Sequence, residues 1–270
     1  MKIGKRTFDT EHKAYIMGIL NVTPDSFSDG GKYTQQDEAL FHVEQMIKEG
    51  ADIIDVGGES TRPGYTLISD EEEMERVLPV IERIKERFDT VISLDTYKSK
   101  VALAGVRTGV DLVNDVWGLT WDGTMAETLA KEEVAICVMH NRKEAVYQNF
   151  LQDVKQDLTQ MVTIAKNAGI SIERLMIDPG IGFAKTKEQN LELLNHLEEL
   201  SSLQLPILLG TSRKSVIGLT LDLPVTEREE GTMATTAIGV MKGCRFFRVH
   251  DVAKNRRVAD MAMGIVLEGK

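Results

Sequence analysis

Eight short apolar runs, each acquiring a polar residue at its carboxyl end, constrain this sequence more than any other feature. They are AYIMGILNV (14–22), DIIDVGG (52–58), VISLDT (91–96), LVNDV (112–116), AICVMH (135–140), LMIDPG (175–180), PILLGTS (206–212) and FFRVHD (246–251). Between them lie segments with helical apolar spacing, among them DEALFHVEQMIKEG, EEEMERVLPVIERIKERF, FLQDVKQDLTQMVTIAKNAG and NLELLNHLEELSSL. Several close as helices close, with a lysine near the end and a glycine just beyond, as in KEGAD and KNAGI. Strands that are apolar on both faces and separated by helices belong to parallel sheets. Eight such units predict an α/β fold, a single-domain (β/α)8 TIM barrel over residues 1–270, with its active site at the C-terminal ends of the strands. A short amino-terminal segment precedes the first strand. A doubly wound open sheet is the alternative, but no GxGxxG follows any of the runs.

The polar strand ends carry the chemistry. In order they are Asn21, Glu59 with Thr61 and Arg62, Asp95, Asn114 with Asp115, His140, Asp178, Ser212 followed by Lys214, and Arg248 with His250. In a barrel all eight ends converge on one face, where the βα loops vary over a fixed interior. Some of these residues are expected to be structural. Thr96 and Asp122 are placed to cap the helices that follow them, and His140 reads as a buried, hydrogen-bonded strand end. Trp117 and Trp121 read as wall or core, and DEEEMERV as a solvated helix amino terminus. Capping does not call for Lys214, Arg248 or His250.

Sorted by type, the remaining groups describe a ligand. Asp95, Asn114 and Asp178 combine carboxylates with an amide that both donates and accepts, which suits the hydrogen-bonding edge of a flat nitrogen heterocycle. Phe183 is placed to cover such a ring. Arg62, Arg248 and His250 suit phosphate oxygens, and the helix start after GTSRKS offers unpaired N–H groups to an anion. The five histidines do not cluster, so the protein alone does not spell a metal centre. A Mg2+ ion held mainly by a diphosphate would take Asn21 as one oxygen ligand. A net charge of −10 argues against nucleic acid, so an anionic substrate must meet a local basic cluster. No run approaches the roughly 18 apolar residues of a membrane span, and the start, MKIGKRTFDTEHK, lacks the core of a signal peptide; a cytoplasmic protein is expected. Cys137 and Cys244, the two cysteines, sit inside apolar runs and read as core.

Together, MGILNVTPDSFSDGG, IIDVGGESTRPG, ISLDTYK, VNDVWG, MHNR, IDPGIGFAKT, LGTSRKS and RVHDV resemble, in order, the strand-end motifs of the dihydropteroate synthase family, over about residues 14–260. The resemblance implies an enzyme of folate synthesis, a transferase that joins 6-hydroxymethyl-7,8-dihydropterin diphosphate to 4-aminobenzoate. It implies that Asp95, Asn114, Asp178, Lys214 and Phe183 hold the pterin. Asn21, Arg62, Arg248 and His250 would hold the diphosphate and its Mg2+, with Asn21 as the metal ligand. Phe27, Thr61, Arg62, Pro63, Phe183, Lys214 and Ser215 would shape the aminobenzoate pocket. Asp95, Lys214 and Arg248 would be catalytic, and sulfonamides would compete for the second pocket. A homodimer through outer helices follows from the same likeness, and TTAIGVMKG with VADMAMGIV is apolar enough to fit. The loops at 23–31 and 60–66, rich in Gly, Pro, Ser, Thr and Asp, are expected to order when the diphosphate binds.

Two segments depart from the family pattern. EREEGT is unusually acidic, and KGCRFFRVHD places Arg245 and two phenylalanines where smaller or aliphatic residues are usual. Two other readings compete. A methyltetrahydrofolate-dependent methyltransferase would share the pterin contacts without needing STRPG or SRKS, and a non-catalytic pterin binder would have lost an anion or aminobenzoate contact; none is missing here.

Overall fold

The computed structural model describes residues 1–23, 32–59 and 67–268. A small antiparallel hairpin, β1 (Lys2–Ile3) and β2 (Arg6–Thr7), precedes the main sheet. Eight strands then alternate with helices: β3 (Tyr15–Asn21), β4 (Ile53–Gly57), β5 (Val91–Asp95), β6 (Leu112–Asp115), β7 (Ala135–Met139), β8 (Leu175–Asp178), β9 (Leu208–Leu209) and β10 (Phe246–Val249). All are parallel, in the order β8-β7-β6-β5-β4-β3-β10-β9. A parallel bridge between Ile177 and Ile207 joins the two edges, so the sheet closes into a barrel. The strand β9 is short because Pro206 has no N–H to give a ladder and Gly210 follows at once.

Side chains alternate across the barrel wall. Ile54, Val56, Ile92, Leu94, Val113, Ile136 and Val138 face outward and belong to the large core shared with the helices. Ile53, Val91, Leu112, Ala135, Cys137, Met176, Leu208 and Phe246 face inward and fill the lower barrel. Both cysteines are free and buried. The amino-terminal hairpin supplies Ile3 and the following Phe8 to this interior cluster, closing its lower end. Phe8 meets Tyr15 edge-on with centroids 4.7 Å apart, and Tyr15 stacks on Phe246 at 5.3 Å. Phe246 thus completes an aromatic plug, which accounts for one of the two unusual phenylalanines.

The helices are α1 (Lys32–Lys48), α2 (Asp70–Arg87), α3 (Ser99–Thr108), α4 (Met125–Ala130), α5 (Phe150–Asn167), α6 (Lys187–Asn195), α7 (Ser215–Leu221), α8 (Glu229–Met241) and α9 (Val252–Glu268). In α2, Ser69 caps the backbone N–H of Glu72, four acids occupy the first turn, and Val77, Val80, Ile81 and Ile84 are buried. The solvated reading of DEEEMERV fails at Glu73, which is buried against Lys98 at 2.8 Å. The segment NLELLNHLEELSSL is not one helix: α6 stops at Asn195 and a 3-10 helix covers Leu197–Leu203. Leu197, Leu200 and Leu203 recur every third residue, which matches the three-residue turn of that tighter helix. Thr96 does not cap α3, whose cap position is Lys98 with no side-chain cap bond; its hydroxyl accepts the N–H of Lys98 at 3.3 Å. Asp122 serves two helices, accepting from Ser99 N at 2.9 Å and from Met125 N at 3.2 Å.

Candidate active site

Strand register brings the predicted residues together. Asn21 pairs with Gly57, Gly57 with Asp95, and Asp95 with Asn114, so these four lie in one row across β3 to β6. Side chains in one row share a face, here the inner one. Gly57 keeps that row open, since a Cβ there would lie 3.6 Å from Asp95 Cβ and 3.8 Å from Asn21 Oδ1. Asn114 is buried, and its amide makes no hydrogen bond among the described residues, leaving both its oxygen and nitrogen for a ligand.

Opposite this row stand Asp178 and Arg248. Arg248 donates from Nε to Asp55 Oδ2 and from Nη2 to Asp95 Oδ2, each at 2.6 Å. Its Nη1 makes no hydrogen bond among the described residues, so one donor is left for an acceptor in the pocket. Burial raises the Asp95 carboxyl to about 7, Arg248 pulls it back, and Asp55 and Glu73 push it up. Asp178 is also raised by burial, against the pull of Lys214 and a hydrogen bond from Gly180 N. Burial lowers Lys214 to about 8, with Asp178 and Asp95 opposing and Arg248 assisting. Carboxylates and cations here share a largely buried space, the setting in which perturbed ionisation marks a candidate functional site.

Lys214 donates to the Ile181 carbonyl and lies 4.7 Å from the centroid of the Phe183 ring. Phe183 packs on a small apolar cluster of Tyr97, Val116, Met139 and Trp117 beside the polar row. Trp117 is half-buried wall, as expected, whereas Trp121 is 41% exposed at the outer edge, its ring 4.7 Å from that of Tyr97.

On β10's carboxyl side, the Ser212 hydroxyl accepts the backbone N–H of His250 at 3.1 Å and lies 2.8 Å from Nδ1. The hydroxyl thus bridges the backbone and the ring of His250, the direction of the second bond following the ring's tautomer. Ser215 is exposed at the first turn of α7. Glu59 sits at a strand end but not in the pocket: it holds Lys98 and the Tyr97 hydroxyl, at 2.5 and 3.0 Å. Asp115 faces outward, accepting the N–H groups of Trp117 and Leu119 to shape a turn. His140 is fully buried and hydrogen-bonded, as expected. Phe27, Thr61, Arg62 and Pro63 lie outside the described residues. Among those described, no group of three or more His, Cys, Asp or Glu is arranged to hold a metal ion.

Asp55 was not singled out by the sequence reading. Its signal is a lone carboxylate in the middle of an otherwise apolar strand, IIDVG, where only a buried cation partner makes it tolerable. The acidic EREEGT segment is explained in part by Glu229, which is buried and accepts from Asn255 Nδ2 at 2.7 Å.

Fold and site together define a barrel enzyme whose pocket offers carboxylates, an amide and cations to a small polar substrate. The sequence pattern of the family described as pterin binding enzyme matches residues 17–250. The dihydropteroate synthase of Clostridium beijerinckii is 57% identical, over 98% of this chain and 99% of the relative. A dihydropteroate synthase structure from Clostridium difficile, determined in the presence of pteroic acid, superposes with a TM-score of 0.94 at 47% identity, covering 96% of this chain and 99% of that one. The Xanthomonas albilineans enzyme with 4-aminobenzoic acid superposes with a TM-score of 0.90 at 39% identity, covering 95% of this chain and 94% of that one. The chain belongs to the dihydropteroate synthase family.

Proposed function

We infer that this chain condenses 6-hydroxymethyl-7,8-dihydropterin diphosphate with 4-aminobenzoate, giving 7,8-dihydropteroate and pyrophosphate. The observation that carries this reading is the inner row of Asn21, Gly57, Asp95 and Asn114, faced by Asp178, Lys214 and Arg248. Asp95, Asn114 and Asp178 offer the acceptors and donors that a pterin edge needs, and the Phe183 ring covers its face. Breaking the C–O bond to the diphosphate leaves positive charge on a methylene conjugated with the electron-rich dihydropterin. The Asp95 carboxylate, buried beside that charge, stabilises it; the free donor of Arg248 with Arg62 and His250 stabilises the leaving group. Lys214 holds the pterin from the Asp178 side. The aminobenzoate nitrogen then attacks a centre already poised, so placement in the pocket of Phe27, Thr61, Arg62, Pro63, Phe183, Lys214 and Ser215 replaces a strong base.

Mg2+ fits as a partner of the diphosphate. The Asn21 amide oxygen is a hard donor at an open strand end, and bound Mg2+ would neutralise charge on the phosphate oxygens. A homodimer is supported by apolar side chains on the outer faces of α8 and α9: Ile238, Met241, Met261 and Ile265 are 45%, 56%, 67% and 52% exposed. Light scattering of the wild type and of Met261→Glu tests it. Among the described residues no helix is long and apolar enough to cross a membrane.

Incubation with the pterin diphosphate and labelled 4-aminobenzoate tests the activity. Pteroate and pyrophosphate released in equal amounts support it. Pterin binding with neither product would leave a non-catalytic binder, and methyl transfer from methyltetrahydrofolate would indicate the barrel methyltransferase.

A further inference from the structure

The segment after β8, DPGIGFAKT, folds around the ammonium of Lys185, a residue the proposed reaction leaves without a role. Its Nζ donates to Gly180 O at 2.9 Å, to Phe183 O at 3.0 Å and to His140 Nδ1 at 2.8 Å. An ammonium has three hydrogens, and here each has an acceptor. Two of those acceptors belong to the loop itself and the third to the end of β7. The loop has no regular ladder of its own, so this cation gathers it from within.

The third acceptor is itself oriented. Burial lowers Lys185 to about 7, against the pull of Asp178; in its protonated form it has no lone pair to accept with, so His140 Nδ1 accepts from it and Nε2 carries the ring proton toward Asp157 Oδ2 at 3.1 Å. Burial holds His140 down at about 4, so the ring stays neutral and Nδ1 stays free to accept. Asp157, from α5, is fixed in turn by Arg142 Nε at 2.6 Å. The Arg142 guanidinium covers the Tyr147 ring at 4.4 Å, and the Tyr147 hydroxyl donates to Ala184 O at 2.8 Å. A second latch therefore reaches the same loop from the same network.

What the loop holds is Lys214. The Ile181 carbonyl accepts from its Nζ, the Phe183 ring lies over it, and a Cβ at Gly182 would come within 3.1 Å of its Cδ. Gly180 is pinned at the other side: at a φ of +70°, a Cβ there would lie 1.9 Å from the His140 carbonyl oxygen. The loop is pressed between β7's end and Lys214, so a shift on one side is passed to the other.

We propose that Lys185 is a positioning residue for the reaction: with His140 and Asp157 behind it, it sets the 180–183 loop whose Ile181 carbonyl and Phe183 ring place the Lys214 ammonium in the pocket. The proposal rests on the synthase reading. It differs from a merely structural role in one respect: the effect of Lys185 must pass through Lys214.

The test is a double-mutant cycle on kcat/KM for the pterin diphosphate, with folding followed by circular dichroism. Lys185→Met is expected to lower kcat/KM at least tenfold in the wild-type background and less than threefold when Lys214 is already alanine. Tyr147→Phe, which removes only the outer latch and a single hydroxyl, is expected to lower it about threefold in the wild-type background and to have no effect beside Lys214→Ala. Losses that multiply in both backgrounds would overturn the proposal, as would wild-type kcat/KM in the folded single variants. Should Lys185→Met fail to fold, the Tyr147→Phe cycle decides alone. Inactive wild-type protein would overturn the synthase reading instead, which separates the two failures.

Discussion

Arg248 and Asp95 meet across the barrel, Nη2 to Oδ2 at 2.6 Å, although β10 and β5 are not neighbours in the sheet. The same guanidinium reaches Asp55 through Nε. One cation therefore stands between two buried carboxylates, and its Nη1, which makes no hydrogen bond among the described residues, is the donor that the proposed reaction gives to the leaving group. Arg248→Gln removes both services. The variant is expected to lose about 100-fold in kcat/KM for the pterin diphosphate, the usual scale for one electrostatic donor. Losing a neighbouring cation also raises the Asp95 pKa above its value of about 7. Because the proposed mechanism uses the carboxylate, activity is expected to be lost as pH falls through that pKa, and the acid limb of kcat/KM to move to higher pH. Profiles of variant and wild type on the same substrate cancel the substrate's own titration. An unmoved acid limb would contradict the assignment.

Lys98 tests the buried charges at the base of the second loop. Its ammonium touches Glu59, Glu73 and the Ile68 carbonyl, and the two carboxylate side chains are 3% and 1% exposed. Lys98→Met leaves both without a cation, at a cost of about 3–5 kcal/mol. Urea denaturation measures it. A loss under about 1 kcal/mol would mean that the carboxylates reach water in the folded protein.

His140 gives a stability signature with a definite sign. Its pKa is about 4 when folded and about 6.5 when unfolded, so between these values the unfolded chain binds the extra proton. Stability contributed by the neutral ring is present above pH 6.5 and lost as pH falls toward 4. A 2.5-unit difference is worth about 3 kcal/mol. His140→Gln, compared with wild type by denaturation from pH 4 to 7, should show a shallower rise with pH. Parallel curves would show that His140 titrates normally.

Sulfonamides carry an arylamine and an acidic sulfonyl group, matching 4-aminobenzoate in shape and charge. They are expected to raise the apparent KM for 4-aminobenzoate without competing with the pterin diphosphate. Purely noncompetitive behaviour toward 4-aminobenzoate would count against the pocket assigned to Pro63, Phe183 and Ser215.

Much of the barrel was legible because its physics is local. Runs buried on both faces can only be inner parallel strands, and all eight formed within a residue or two except PILLGTS, shortened by Pro206 and Gly210. Asp95, Asn114 and Asn21 were legible as strand-end polar residues, and register then placed them in one row. What escaped depended on pairs distant in sequence. Asp55 is meaningful only once Arg248, 193 positions later, lies against it. Glu73 looked solvated because Lys98 was not visible as its partner. Lys185 reads as an ordinary surface lysine until the loop is seen to close around it.

The account turns on charge at the reacting carbon, and the single-turnover rate of Asp95→Asn measures that most directly. Asparagine keeps the size and an acceptor oxygen but removes the charge, and Asp55 remains to hold Arg248. With both substrates saturating and the fold verified by circular dichroism, the rate is expected to fall at least tenfold, about 1.4 kcal/mol of transition-state stabilisation. Lys214→Ala should lose as much. A folded Asp95→Asn that turns over at the wild-type rate would contradict the mechanism.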